Sequence, residues 1–261
     1  MDITKNIESS NTWLKVNRPT NHKDITLLDV QKRLKLGNFL TVENAKTIKG
    51  EELGYLTGIL YLAPHKITGF NFCTMAVNCI KDCLFHAGHG QVTSTTRSRI
   101  IKTLAYLMDK KEFISHINKD ITRLEKKALK RDLTPAIRLN GTTDLNIGSI
   151  YSDVMKKFNH IQFYDYTKVP YFVENNKHTN YHITFSCDGL NIDKSIELMT
   201  KGYNSAIVFF DSNFPKVYKG FTVVNGDAHD LRFLDKKNSA VGLRYKGTGI
   251  KNADLDFVVK V

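Results

Sequence analysis

Three of the four cysteines in this chain lie within eleven residues, and their spacing is the strongest chemical signal in the sequence. Cys73, Cys79 and Cys83 follow a C-x5-C-x3-C pattern. Thiolates are soft ligands that suit zinc or an iron–sulfur cluster, and three of them leave one coordination position for another group. The short C-x2-C pair of most structural zinc sites is absent, so the pattern favours a [4Fe–4S] cluster held by these three residues.

Other interpretations of the same cysteines stay open. The alternative metal is zinc, with a fourth ligand chosen from Cys187, His65, His86 and His89. The thiols could also form reversible disulfides in a redox-sensing protein without metal. The structural interpretation is that they are small hydrophobic residues in a core, as isolated free cysteines usually are.

Polar residues follow several β-like runs, and polar groups just beyond strand ends are where parallel sheets bind ligands. The motifs are RLNGTTD, FYDYTK, NYHITFS and GLRYKG. For catalysis we predict Asp144, Asp165 and Lys168, with Asp165 on the strand face opposite Lys168. For cofactor binding we predict Arg138, Asn140, Ser186, Arg244 and Lys246. Gly141 allows a tight turn in the first of these motifs.

The motif NGDAHDLRFLD places Asp227, His229, Asp230 and Asp235 within nine residues. Such a group could hold a hard divalent cation. The same motif is also typical of a hairpin turn, in which the acidic residues would pair with Arg232.

The elements that must position these residues alternate between strands and helices. The first buried strand is predicted at Tyr55 to Pro64, directly before the cysteines, and one long amphipathic helix is predicted from Arg97 to Arg131. This alternation predicts an α/β fold with a mostly parallel sheet, built as a partial or complete βα barrel of the TIM type. Residues 1–52 are interpreted as an N-terminal extension and 53–261 as a single domain.

Composition limits the class of protein. The chain has 261 residues, 41% of them hydrophobic, and a net charge of +12 from 38 Lys plus Arg against 26 Asp plus Glu. The excess of positive charge makes nucleic acid or a nucleotide a candidate partner or substrate, and the oligomeric state stays open. Because no run approaches the roughly 20 apolar residues of a membrane span and no apolar leader begins the chain, we expect a soluble cytoplasmic protein.

Two resemblances add to this interpretation. The cysteine run together with RLNGTTD, FYDYTK, NYHITFS, NGDAHDLRFLD and GLRYKG resembles a phage-encoded family of unknown function, over about Tyr55 to Val259. That implies the host cytoplasm and a nucleic-acid context. Three cysteines after the first strand also resemble radical-SAM enzymes, whose usual spacing is C-x3-C-x2-C. This second resemblance implies an iron–sulfur enzyme with S-adenosylmethionine as a candidate ligand.

Overall fold

The computed structural model describes residues 3–20, 22–42, 45–80, 83, 92–210, 214–245 and 258–259. Nine α-helices occur in these ranges: α1 Ile3–Asn17, α2 Leu27–Leu36, α3 Ala45–Glu51, α4 Thr93–Met108, α5 Lys110–Leu129, α6 Ile147–Ile150, α7 Ser152–Lys157, α8 Pro170–Glu174 and α9 Ile192–Thr200. The ten strands of the same ranges are β1 Leu40–Thr41, β2 Tyr55–Leu60, β3 Thr134–Arg138, β4 Gln162–Thr167, β5 Tyr181–Ser186, β6 Ser205–Phe209, β7 Val217–Tyr218, β8 Phe221–Asn225, β9 Ser239–Arg244 and β10 Val258–Val259.

The strands form one mixed sheet in the order β1-β2-β3-β4-β5-β6-β9-β8-β7, with β10 paired to β6. From β2 through β6 to β9 and β8 every pairing is parallel, whereas β1 and β7 are antiparallel at the two ends. The predicted α/β fold with a mostly parallel sheet is therefore confirmed. The path of described strands does not close on itself, so the predicted barrel is not confirmed.

The helical region between residues 97 and 131 is divided in two, which corrects the prediction of one long helix. Asp109 has an extended backbone at φ −146° and ends α4, and its side chain accepts the Glu112 N–H at 2.8 Å to cap α5. Aspartate is favoured at the N-cap of a helix and disfavoured in the helix interior. The predicted apolar stripe of α5 is confirmed, since all five of its members are buried: Phe113, Ile117, Ile121, Leu124 and Ala128.

One face of the sheet packs on the helices through residues such as Leu56, Ile137 and Phe163, which belong to the main hydrophobic core. Residues before position 52 belong to the same core, because Leu14 and Val30 are fully buried within it. The proposed division at residue 52 stays a prediction.

Two buried charges hold the chain just before β1. Asp120 of α5 accepts the Phe39 N–H at 2.6 Å, and Lys102 of α4 donates from Nζ to the Phe39 carbonyl at 2.8 Å. Both side chains are about nine-tenths or more buried. Burial lowers the pKa of Lys102 to about 7, and the nearby Arg33 lowers it further whereas Asp120 opposes the shift.

No helix within the described ranges is both long and apolar enough to cross a lipid bilayer.

Candidate active-site cavity

A cavity of about 510 Å³ lies where the parallel strands end. This is the edge at which open α/β sheets bind ligands, and the volume falls in the range of small-molecule sites. The wall includes residues at or just after the ends of β3, β4, β5 and β9, and all four cysteines of the chain contribute to it.

The cysteine-containing loop follows β2 and is fixed to the loop after β3. Cys73 forms an isolated parallel bridge with Asp144, whose N–H donates to the Phe72 carbonyl at 2.9 Å. Cys79 lies in a single 3-10 turn, Asn78–Ile80. Residues 81–82 and 84–91 are outside the described ranges, and with them the candidate zinc ligands His86 and His89.

The cysteines share a desolvated environment. Burial raises the pKa of the Cys73 thiol to about 12; a hydrogen bond from the His65 backbone opposes this, while the charges of Asp144, Cys83 and Cys79 add to it. Burial also raises the pKa of Cys79, against which the ammonium of Lys168 acts. Within the part of the chain that the structure describes, no three His, Cys, Asp or Glu side chains are arranged around a single metal position. Metal binding by these thiols therefore remains a prediction.

Asp144, Lys168 and Ser186 form a connected polar group on the cavity wall. The Asp144 carboxylate accepts the Thr167 hydroxyl at 2.6 Å and the Lys168 N–H at 2.9 Å. Burial raises the pKa of Asp144, and these hydrogen bonds counteract the rise. The Lys168 ammonium in turn donates to the Ser186 hydroxyl at 2.8 Å. One carboxylate thus fixes the end of β4, and the lysine that follows presents its charge to the cavity.

The side-chain amide of Asn140, a residue of the cavity wall, is hydrogen-bonded within the loop after β3. Its Oδ1 accepts the Thr143 hydroxyl at 2.9 Å and the Leu145 N–H at 3.1 Å, while its Nδ2 donates to the Leu145 carbonyl at 2.9 Å. Gly141 comes next, where the chain passes against β2. A methyl group there would lie 2.7 Å from the Leu60 carbonyl oxygen and 2.7 Å from the Tyr61 ring.

Gly141→Ala is expected to lower the free energy of unfolding by about 1 to 3 kcal/mol, because a methyl group cannot fit against the Leu60 backbone without displacing the loop. Urea denaturation followed by circular dichroism measures the change. Gly148→Ala is the matched control, since the nearest atom to the added methyl is 3.7 Å away in ordinary contact. Equal stability of the two variants would contradict the close packing of Gly141.

Arg138 forms the floor of the cavity. It is 5% exposed, its Nη1 donates to Asp230 at 2.7 Å, and its guanidinium lies 4.7 Å from the centre of the Tyr166 ring. The neighbouring Asp230 is the main favourable charge that raises the pKa of Arg138 in spite of burial. Asp165 lies 3.8 Å from the Arg138 Nε. The arginine is therefore committed to internal partners and keeps its charge.

Asp165 is buried beneath the cavity and is not part of its wall. Its carboxylate accepts the N–H groups of Leu139 at 3.3 Å and Asn140 at 2.7 Å, which fixes the point where the chain leaves β3. Burial raises the pKa of Asp165 to about 7, with Arg138 and the hydrogen bonds acting against the rise. Asp165, which was predicted to be catalytic, therefore lies below the cavity wall and contacts the backbone at the end of β3.

The motif NGDAHDLRFLD begins at Asn225, the last residue of β8, and forms most of the connection from β8 to the parallel strand β9. Asp227, His229 and Asp230 line the cavity, whereas Asp235 pairs with the fully buried Arg232 at 3.1 Å. A connection between parallel strands is not a hairpin turn, so that interpretation was wrong. The expected pairing of an acidic residue of this motif with Arg232 is confirmed for Asp235.

Lys49 is a cavity residue that sequence reasoning missed. It belongs to α3, within the residues interpreted as an extension, and its ammonium donates to the Asp227 carbonyl at 2.8 Å. The sequence of α3, AKTIKGE, contains no motif that distinguishes Lys49 from other surface lysines.

Most of the predicted residues meet at this one cavity. Six of the noncysteine candidates line it together with the three clustered cysteines: Arg138, Asn140, Asp144, Lys168, Ser186 and Arg244. Asp165 lies beneath, and Lys246 is outside the described ranges. The position of these residues around one cavity does not test their predicted catalytic and binding roles.

Comparison with known proteins gives one match. A family model described as Gene product 88 matches residues 37–260. No curated protein matches the chain, and no solved structure matches it. The resemblance to a phage-type family of unknown function is thereby confirmed, and the match carries no evidence for a radical-SAM relationship.

Proposed function

This chain belongs to the Gene product 88 family, and we propose that it is an iron–sulfur enzyme, radical-SAM-like in arrangement, whose substrate is a nucleotide or nucleic acid. The observation that carries the proposal is the convergence of Cys73, Cys79 and Cys83 on one cavity at the carboxyl edge of a parallel sheet. The order of the sheet supports it. Strands β2 to β6 are parallel neighbours in chain order, as in a partial βα barrel, and the cysteine loop follows the first of them.

The chemical type of the three loop side chains, thiols, suits a thiolate-bound cluster, whereas their positions in the described structure do not surround a single metal ion. Cys73 and Cys79 are half-buried, and this burial raises the pKa of both thiols because it penalises the thiolate. A bound metal centre supplies a compensating positive charge and favours the deprotonated ligands. A backbone N–H from residue 65 reaches the Cys73 sulfur, and hydrogen bonds to sulfur are one of the means by which proteins tune such clusters.

In this proposal a [4Fe–4S] cluster supplies single electrons, with S-adenosylmethionine as the candidate ligand of its open position. The chain supplies binding and orientation. Lys168 and Ser186 present an ammonium and a hydroxyl toward an anionic group, and Asp144 fixes the backbone from which Lys168 extends. Arg138 keeps a buried positive charge beneath the substrate, and its partners Asp230 and Asp165 prevent it from moving.

The family and the charge of the chain support the choice of substrate class. A phage-type protein with a net charge of +12 is suited to polyanions, and the cavity wall carries the cationic groups of Lys49, Arg138, Lys168 and Arg244.

Metal analysis of protein purified without oxygen tests the proposal. We expect iron and acid-labile sulfide, a broad visible absorption and an EPR signal after reduction. Single replacements Cys73→Ala, Cys79→Ala and Cys83→Ala should each abolish the absorption and most of the bound iron. Cys187→Ala is the matched control, because this buried cysteine lines the same cavity but lies outside the loop.

The outcomes separate the cluster from its alternatives. A coloured protein that keeps its iron in all three loop variants would contradict the assignment of ligands. Colourless protein with stoichiometric zinc would replace the enzyme by a zinc-stabilised nucleic-acid-binding protein. Reversible disulfides without metal would indicate a redox-sensing protein.

A further inference from the structure

Helix α5 presents a continuous basic surface on the side opposite its core stripe. Exposed lysines occur at positions 111, 119 and 126 of the helix and at its C-cap, position 130, which continues the helical backbone; they are separated by eight, seven and four residues. These separations are close to multiples of the 3.6-residue turn, so the four side chains project from one side of the helix. Arg123 is exposed beside them. We call these five residues the basic ridge.

The positive charge of the ridge is largely uncompensated. Its four lysines form no ion pair with any described acidic residue, while Arg123 pairs with Asp120 at the edge of the ridge. The acidic residues of α5 are used elsewhere: Glu125 bonds to His160 at 2.5 Å, and Glu112 faces His116 at 3.8 Å. Glu112 is the one acidic side chain that shares the exposed side. A solvated helix surface more commonly alternates its charges, as i, i+4 pairs stabilise it.

The ridge has the shape of a site for an extended polyanion. A straight helix of 20 residues is about 30 Å long. Double-stranded DNA carries about one negative charge per 1.7 Å of its axis, so a duplex can place phosphates along the whole ridge. The lysines are point charges on flexible stems, which favours contact with the phosphate backbone over reading of bases.

We propose that the basic ridge binds the phosphate backbone of nucleic acid independently of sequence. Lys111, Lys119, Lys126 and Lys130 contact the phosphates, and the site is separate from the cavity. The ridge belongs to the solvent side of a helix that packs on β2 and β3, whereas the cavity lies at the carboxyl ends of the strands. The proposal does not depend on the presence of a cluster.

Salt titration of DNA binding tests the proposal. The full chain is titrated against two fluorescently labelled duplexes of unrelated sequence by anisotropy at a series of salt concentrations. We expect similar affinity for both duplexes. Replacing all four ridge lysines by glutamine should weaken binding more than about tenfold at 0.15 M salt, and should reduce the slope of log K against log salt by about three to four.

Lys194→Gln with Lys201→Gln is the control, because these lysines, one in α9 and one at its C-cap, are already paired with Glu174 and Glu197. The control should bind DNA within about twofold of the unchanged chain. Equal slopes for the ridge variant and the unchanged chain would overturn the proposal, as would binding to vesicles of anionic phospholipid without binding to DNA. Circular dichroism and thermal melting establish that the ridge variant is folded. Loss of iron in the cysteine variants is measured separately, so the two proposals fail independently.

Discussion

Replacing Asp230 by alanine is expected to lower the free energy of unfolding by about 3 kcal/mol. The replacement leaves the Arg138 guanidinium, which is 5% exposed, without the carboxylate that it contacts at 2.7 Å. A buried charge deprived of its partner is among the most destabilising of single changes, and Asp165 at 3.8 Å from Nε compensates only in part. Urea denaturation measured by tryptophan fluorescence and circular dichroism gives the difference.

Two further variants identify the cause. Asp153→Ala removes a fully exposed aspartate side chain and should change stability by less than about 0.5 kcal/mol. The double replacement Arg138→Met with Asp230→Leu removes both charges of this pair and should recover part of the lost stability, because the remaining buried carboxylate, Asp165, keeps its hydrogen bonds from the Leu139 and Asn140 N–H groups. If the double variant is as unstable as Asp230→Ala, the loss of stability comes from disrupted packing and not from the unpaired charge of Arg138.

The stability advantage of Lys102→Met over the unchanged chain is expected to decrease by about 3 kcal/mol as the pH rises from 6.5 to 10. Burial lowers the pKa of Lys102 to about 7 in the folded protein from an ordinary value of 10.5. Between those values the unfolded chain binds more protons than the folded chain, so the free energy of unfolding rises with pH. Below pH 7 Lys102 is protonated in both the folded and the unfolded chain, so the folded protein bears the full free-energy cost of burying its charge. Methionine removes this dependence.

Denaturation curves at half-unit steps of pH measure the effect. Lys111→Met is the control, since this exposed lysine should show the same small difference from the unchanged chain at every pH. A constant difference between Lys102→Met and the unchanged chain would show that Lys102 stays fully protonated in the folded protein. Loss of the hydrogen bond to the Phe39 carbonyl affects the methionine variant at all pH values and so does not imitate the expected trend.

Local patterns in the sequence were sufficient to predict the parallel sheet and most of the cavity wall. Each of the motifs that contain Arg138, Lys168 and Ser186 follows an apolar run, and parallel strands bring their carboxyl ends to one edge. The cysteine loop follows its strand in the same way. Nothing beyond the order of strands and helices was needed to place these residues together.

Features that depend on distant contacts were not predictable. Asp109 looks like one polar residue in a helical pattern, and only its bond to the Glu112 N–H reveals the break. Asp165 reads as a strand-end carboxylate, yet the alternation of the strand turns it toward the core, where it binds the backbone of Leu139 and Asn140. The contact of Lys49 with Asp227 joins residues 178 positions apart, and no pattern within either segment encodes it.

The contact between Lys49 and Asp227 also affects when the cavity can form during synthesis. Asp230, the partner of Arg138, lies 92 residues later in the chain. Asp227, the partner of Lys49, lies 178 residues later. The core around α4, α5, β2 and β3 can assemble while the ribosome is still adding the later strands, but the cavity floor stays incomplete until residue 230 has emerged. Closing such long loops is slow. Arg138 is therefore synthesised well before its carboxylate partner Asp230, and the cavity is completed late in the folding of the chain.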